Sequence, residues 1–382
     1  MTTTNSQHRM STRLAFLAAG VGMSAWAALV PLAQARMELT QSELGLMLLF
    51  LGIGSLTAMP ITGLLAARFG CRPVILWSGS LVCVALPALS QAPTPVFLAI
   101  TLFVFGAAIG TLDVAMNIQA VIVEKNHGSA LMSGFHGLFS VGGIFGAGGM
   151  ALLLSNDFSP LASCLTVSAL VAVSLLIAAK NLLHAPNLVD QDGPRYALPR
   201  GAVILIGVLC FIVFLAEGAI LDWSALLLTT SAGVSTSWGG IGYAVFALAM
   251  TAGRLTGDRI VQRWGGRHVL LWGALCAASG FFIAVVTTLD IVVLLGFLLI
   301  GAGASNIVPV LFTAAGSQHD MPASLAVSAV STIGYAGILA GPTMIGFIAH
   351  LTSLNLAFAA LGCAMLLVAG THRRLEYHSK EQ

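Results

Sequence analysis

The chain has 382 residues, of which 58% are hydrophobic and 8% charged, with a formal net charge of +2. Soluble domains run near about 45–50% hydrophobic and about 25% charged, so this chain lacks the side chains to cover a water-facing surface and is excluded from the ordinary soluble classes. So small a positive charge gives no reason to expect nucleic acid as a partner.

Apolar runs recur from end to end, each near the roughly 20 residues that cross about 30 Å of hydrocarbon as a helix. They are continuous rather than alternating and rich in Ala, Leu and Gly, which argues against barrel strands. The pattern predicts twelve helical spans, at 14–35, 43–67, 73–92, 96–121, 130–154, 160–183, 201–229, 236–260, 268–288, 291–317, 324–349 and 353–371. The longest connection, 184–200, holds two Asp, two Arg and three Pro. It reads as a cytoplasmic linker between an N-terminal bundle, 1–183, and a C-terminal bundle, 201–382. Ala33-Gln34-Ala35 looks like a signal-peptidase site behind a basic start. The stretch before it is longer than a signal core, and cleavage would delete the counterpart of the span at 201–229, so the first span is expected to be retained.

The chain repeats itself at an offset of 195 residues. Arg68-Phe69-Gly70-Cys71-Arg72 falls on Arg263-Trp264-Gly265-Gly266-Arg267, Gly106–Gly110 on Gly301–Ser305, and Gly142–Gly146 on Gly337–Gly341. Three segments sharing one offset mark two related halves, and the natural place for a ligand is between them. Orientation follows from Lys and Arg. With the N-terminus inside, the cytoplasmic segments hold Arg9, Arg13, Arg68, Arg72, Lys125, Lys180, Arg195, Arg200, Arg259, Arg263, Arg267, Arg373, Arg374 and Lys380, whereas the outer loops hold only Arg36. Both termini are therefore expected in the cytoplasm.

Twelve spans, a six-plus-six repeat and a basic, Gly-containing loop after the second span resemble the major facilitator superfamily. That family's loop signature runs Gly-x-x-x-Asp-Arg-x-Gly-Arg-Arg/Lys. Here Gly63 to Arg72 and Gly257 to Arg267 follow it in part: the Asp position is Ala67 in one copy and Gln262 in the other, with Asp258 one turn earlier, and Cys71 and Gly266 stand at the first Arg of the Arg-Arg/Lys end. Leu112-Asp113-Val114-Ala115-Met116-Asn117, Phe135-His136-Gly137, Ala216-Glu217-Gly218 before Asp222-Trp223, and Gly334-Tyr335 leading to Gly341-Pro342 are similar to the fucose-permease-like sugar transporters and their MosC-like branch. The resemblance implies an all-α membrane protein, twelve transmembrane helices in two pseudo-symmetric six-helix bundles. It also implies secondary transport of a small polar, sugar-like solute, with the acid on span four as a proton carrier and the loop arginines Arg68, Arg72, Arg263 and Arg267 in the gate.

A charge at the centre of a spanning helix costs about 2.5–3.5 kcal/mol on insertion scales, so intramembrane polar groups are the best functional candidates. Asp113 is near the middle of span four, and Asn117, four residues on, shares its face. The structural alternative is a protonated Asp bonded to a neighbouring helix. Glu217 is near the middle of span seven. Asp222, five residues or about 140° further round, belongs with Trp223 to an outer gate or an end cap. His136, near the inner end of span five, is either a proton-exit group or a hydrogen-bonded structural residue. Arg254 and Asp258, four apart near the inner end of span eight, read as an ion pair with a gating role. Asn306 is mid-span ten and, by the repeat, faces the same region as Asp113. Trp26, Trp238, Tyr243 and Tyr335 are stacking candidates for a sugar face, or ordinary packing. The Gly-x-x-x-Gly pairs let helices approach closely, and Pro342 marks a bend. The six cysteines show no metal or redox spacing and read as apolar fillers.

The reading is a proton-coupled transporter of a sugar-like solute in the bacterial inner membrane. Protons, solute and lipid are its partners, no cofactor or metal site is expected, and it acts as a monomer. The alternatives are proton-antiport export of amphipathic compounds and a non-transporting sensor of the same fold. No nucleotide motif, metal set or activated nucleophile points to an enzyme.

Overall fold

A computed structural model describes residues 3–184, 198–231, 235 and 238–374. Regular structure among them is helical throughout: α1 Thr3–Ala27, α2 Val30–Arg36, α3 Gln41–Phe69, α4 Cys71–Gln91, α5 Pro95–His127, α6 Met132–Ser155, α7 Pro160–Ala179, α8 Ala202–Ser231, α9 Ile241–Val286, α10 Asp290–Ala304, α11 Ile307–Ser317, α12 Ala323–Leu351 and α13 Leu354–Gly370. Among the described residues, ten helical segments are long and apolar enough to cross a membrane. One of these, α9, has 46 residues with a non-helical Gly265 inside, and at 1.5 Å per residue it is about twice the thickness of the hydrocarbon. Counting it as two spans and adding α13 gives the twelve-helix fold expected from the sequence.

Three details differ from the hydropathy pattern. The first span breaks between α1 and α2. The eighth and ninth spans meet at a kink at the non-helical Gly265, with no loop between them. The tenth span is discontinuous, α10 ending at Ala304 and α11 starting at Ile307. Most of the expected linker, 185–197, lies outside the described residues, with Arg195 and Lys380.

Local chemistry explains the helix ends. Thr40 and Glu43 form a capping box at the start of α3, each accepting the other's backbone N–H, at 3.3 and 2.9 Å; this satisfies two donors that a helix N-terminus leaves open. Thr94, Ser159 and Ser353 cap α5, α7 and α13 through backbone N–H bonds to their hydroxyls. Arg36 donates to the carbonyls of Leu89 (3.2 Å) and Ser90 at the end of α4, where a cation meets the negative end of the helix. Gly70 and Gly265, equivalent in the repeat, both have positive φ, 84° and 76°. An L side chain is strained there, so each half spends a glycine on the same corner.

The chain forms two compact units, Met1–Gly128 with Leu138–Leu198 and Met321–Ser328, and Ser129–Gly137 with Pro199–Asp320 and Ala329–Gln382. Within the first, a Cβ on Gly106 would overlap the Leu51 carbonyl, which sets how closely α5 lies on α3. Within the second, Gly301 meets the Phe246 carbonyl in the same way. Both members of this contact obey the 195-residue offset, so the repeat holds for packing as well as for letters. Gly142 on α6 against Leu17 of α1, and Gly337 on α12 against Phe211 of α8, repeat the device.

Candidate functional site

In the first unit the polar centre belongs to α5. Asp113 lies 18 residues, about 27 Å, beyond Pro95 in this 33-residue helix, near its middle. Asn117 is fully buried, and its Nδ2 donates to the Asp113 backbone carbonyl at 2.9 Å and to Asp113 Oδ1 at 3.3 Å. The i, i+4 spacing places the amide over the carboxyl. No cation faces Asp113 among the described residues. Further along α5, buried Gln119 donates to Thr12 Oγ1 at 3.3 Å and accepts from the Leu183 N–H at 3.1 Å. It ties α5 to α1 and to the chain leaving α7. This residue was missed in the sequence, although a lone amide in an apolar run is a legible signal.

In the second unit three elements meet. Glu217 of α8 forms an ion pair with Arg254 of α9, Nη2 lying 3.3 Å from Oε1 and 3.4 Å from Oε2, with side-chain exposures of 19% and 9%. Arg254 Nε donates to the Ser305 carbonyl at 3.3 Å. That carbonyl is available because Pro309, four residues on, has no N–H to donate to it and span ten breaks at Ser305 and Asn306; interrupted helices expose backbone groups of this kind inside a membrane protein. Asn306 Nδ2 donates to the Gly253 carbonyl at 3.1 Å and to Ser305 Oγ at 3.0 Å, while its buried Oδ1 has no donor. A Cβ on Gly257 would overlap that oxygen, and one on Gly253 would overlap Ser305 Oγ. The two glycines let the broken helix lie on α9. The spacing of Arg254 and Asp258 suggested that they pair with each other. Across helices, Arg254 instead reaches Glu217, a partner that 37 residues of separation hid.

Asp258 Oδ1 accepts from the backbone N–H of Gly134 at 2.9 Å, in the first turn of α6, where an acid suits the open N–H groups and the positive helix end. Gln262, which stands at the signature's acid position, donates to the Ala130 carbonyl at 3.1 Å. His136 is buried and stacked on Phe312, with ring centroids 5.7 Å apart. In the first unit Ser328, at the start of α12, donates to the Met59 carbonyl at 2.6 Å, and a Cβ on Gly63 would crowd its Cβ. Ser328 and Ser133 are repeat equivalents, each against a glycine of the facing helix.

The remaining candidates lie elsewhere. Trp26 is 4% exposed in an apolar core with Leu86, Leu102 and Phe105, its indole N–H without an acceptor. Tyr335 is buried in α12. Asp222 is exposed on α8, and Trp223 beside it packs against Gly346. Arg68 is exposed and stacks on the Phe69 ring at 5.1 Å. Arg72 bonds to His184, and Arg263 and Arg267, both exposed, flank Gly265. All six cysteines are free, and among the described residues no three His, Cys, Asp or Glu side chains converge as a metal set.

Residues 14–321 match the family model of the Major Facilitator Superfamily. An uncharacterised MFS-type transporter of Yersinia pestis is 57% identical over 365 residues, covering 96% of this chain and 95% of that protein. The membrane protein MosC of Rhizobium meliloti is 31% identical over 354 residues, 93% and 86% of the two chains. Among solved structures, the fucose:proton symporter FucP of E. coli superposes with a TM-score of 0.76 at 17% identity, over 96% of this chain and 98% of that one.

Proposed function

The chain belongs to the major facilitator superfamily, and on that premise we propose that it is a proton-coupled secondary transporter of a small polar, sugar-like solute. It works by alternating access in the bacterial inner membrane, as a monomer with both termini cytoplasmic. Two bundles, 1–183 and 201–382, joined by 184–200, supply the two moving parts. The observation that carries the reading is Asp113: a mid-span carboxyl with an amide partner, Asn117, and no counter-ion among the described residues. Such a carboxyl changes protonation without breaking an ion pair, which a reversible proton carrier requires. A fucose:proton symporter among the structural neighbours supports the sugar-like solute and the proton.

Asn117, Asn306 and Tyr335 line the solute path, Trp26 stiffens the core behind it, and Glu217 is a second protonation site whose protonation frees Arg254. Asp258, Gln262 and His136 hold the inner end of α6, and Arg68, Arg72, Arg263 and Arg267 flank the glycine corners that move with it. Asp222 belongs to the outer end. The test is uptake into proteoliposomes of a panel of sugars, polyols and their amino and acidic derivatives under an imposed inward pH gradient. Accumulation of one class, collapsing when a protonophore is added, is expected. Accumulation that survives the protonophore refutes proton coupling, and no uptake of any sugar-like solute refutes the substrate class.

A further inference from the structure

Trp77 is the most exposed of the six tryptophans, at 78% of its surface. It lines a groove of about 420 Å³ on the outside of the first unit, formed with Leu65 and Phe69 of α3, Val74 and Leu81 of α4 and Ala108 of α5. The lining is overwhelmingly apolar, and Phe69 is itself half exposed. In water such a surface is a liability. In a bilayer it is a seat for an acyl chain, within the size range of pockets that hold one small ligand.

The end of the groove carries charge. Arg68 is exposed, and its guanidinium stacks over the Phe69 ring that forms the groove wall, 5.1 Å from the centroid. Trp77 is six residues into α4, about 9 Å along its axis from Cys71. An indole at that depth and a guanidinium at the helix end reproduce the order of a lipid molecule, with phosphate outside and chain within. The repeat places the same residue types at the equivalent positions. Arg263, Trp264 and Trp272 are the equivalents of Arg68, Phe69 and Trp77, and all three are exposed, the tryptophans at 56% and 58%. A lone exposed tryptophan has many explanations. An exposed Arg–aromatic pair followed eight residues later by an outward tryptophan, in both halves of an otherwise diverged chain, calls for a common partner on the membrane side.

We propose that the groove between α3, α4 and α5 is a binding site for one anionic phospholipid, its acyl chain against Trp77 and Phe69 and its phosphate on Arg68, and that Arg263, Trp264 and Trp272 make an equivalent contact in the second half. The site lies on the α3–α4 corner at Gly70, so an occupied groove stiffens that corner.

The experiment reads the tryptophans directly. The full chain is reconstituted in phosphatidylcholine nanodiscs with increasing mole fractions of brominated phosphatidylglycerol or, in parallel, brominated phosphatidylcholine with the same chains. The Trp77 signal is the difference between the parent and Trp77→Phe, a conservative change at an exposed position. One favourable charge at the membrane surface predicts half-quenching at about a fivefold lower mole fraction for phosphatidylglycerol. Arg68→Gln should bring the two lipids together, and Trp272→Phe read against Arg263→Gln should do the same in the second half. Equal quenching by both headgroups in the parent means ordinary boundary lipid only and overturns the proposal. So does a preference that survives Arg68→Gln. Neither outcome depends on transport, so the proposal and the functional reading fail separately.

Discussion

Asp113 and Glu217 are both acids near the middle of spanning helices, one in each unit, and they are held in opposite ways. Asp113 has an amide at 3.3 Å and no cation among the described residues; Glu217 has the Arg254 guanidinium at 3.3 Å, which in turn bonds the broken end of α10. The repeat does not relate the two sites. At its offset, Arg254 falls on Met59, Glu217 on Gly22 and Asp113 on Val308. The backbone corners and glycine contacts are duplicated, while the polar centres are not. Symmetry in this chain therefore serves the scaffold, and chemistry is where the halves diverge. An uncompensated acid suits proton exchange, whereas a compensated one adds structure and opposes protonation until its partner is taken away.

The largest expected effect tests the lone acid. Asp113→Asn keeps shape and hydrogen bonding but cannot cycle a proton. Gradient-driven accumulation should be abolished and its pH dependence lost, with counterflow exchange retained; Asp113→Ala should impair both. If Asp113→Asn still concentrates solute, the distinction between the two acids has been drawn the wrong way round and Glu217 becomes the coupling site.

The next largest concerns the pair. Removing one member leaves a buried charge without its partner, so Glu217→Gln should lower stability by about 3–5 kcal/mol, and Glu217→Leu with Arg254→Met should recover most of it. Unfolding in mixed micelles measures both. A loss below about 1 kcal/mol for the single change would place the pair in the class of solvent-screened bridges and Glu217 alongside Asp113 as a freely exchanging acid.

A smaller effect separates scaffold from chemistry. Gly257→Ala pushes a methyl onto Asn306 Oδ1 and should cost about 1–3 kcal/mol by overpacking. Gly45→Ala, which meets nothing within 4 Å, should be neutral or better. Equal losses at the two sites would mean that the α9–α11 contact is looser than its geometry implies. Smallest is the cap: Asp258→Asn keeps an acceptor for Gly134 but removes the charge at the start of α6, a change of about 0.3–1 kcal/mol. It should appear as faster alkylation of a cysteine introduced at the inner end of α6, and an unchanged rate would remove Asp258 from the gate.

Much of this was legible in the letters. Twelve spans, the glycine corners and the face shared by Asp113 and Asn117 follow from composition and from i, i+4 spacing, which are properties of one helix at a time. The partner of Arg254 was not legible. Asp258 sits at the right local spacing, but the guanidinium finds Glu217 on another helix, and no rule of sequence separation selects between them. The break at Ser305 and Asn306 was overlooked for a different reason: hydropathy is continuous through it, although Pro309, which cannot donate to the Ser305 carbonyl, is a local signal that the letters do carry. Trp26 reads in the sequence as either a stacking platform or ordinary packing, because an amphipathic ring fits either place, and it lies in an apolar core.

By itself, the sequence determined the solvent, the number of crossings and the duplication. Each depends on local apolar length and on repeated short words, and a bilayer leaves a chain of this composition no alternative to spanning helices. Tertiary structure decided which polar groups meet. Inside the membrane a charge must find its partner across helices rather than in water, and helix packing sets those distances at the scale of a single glycine.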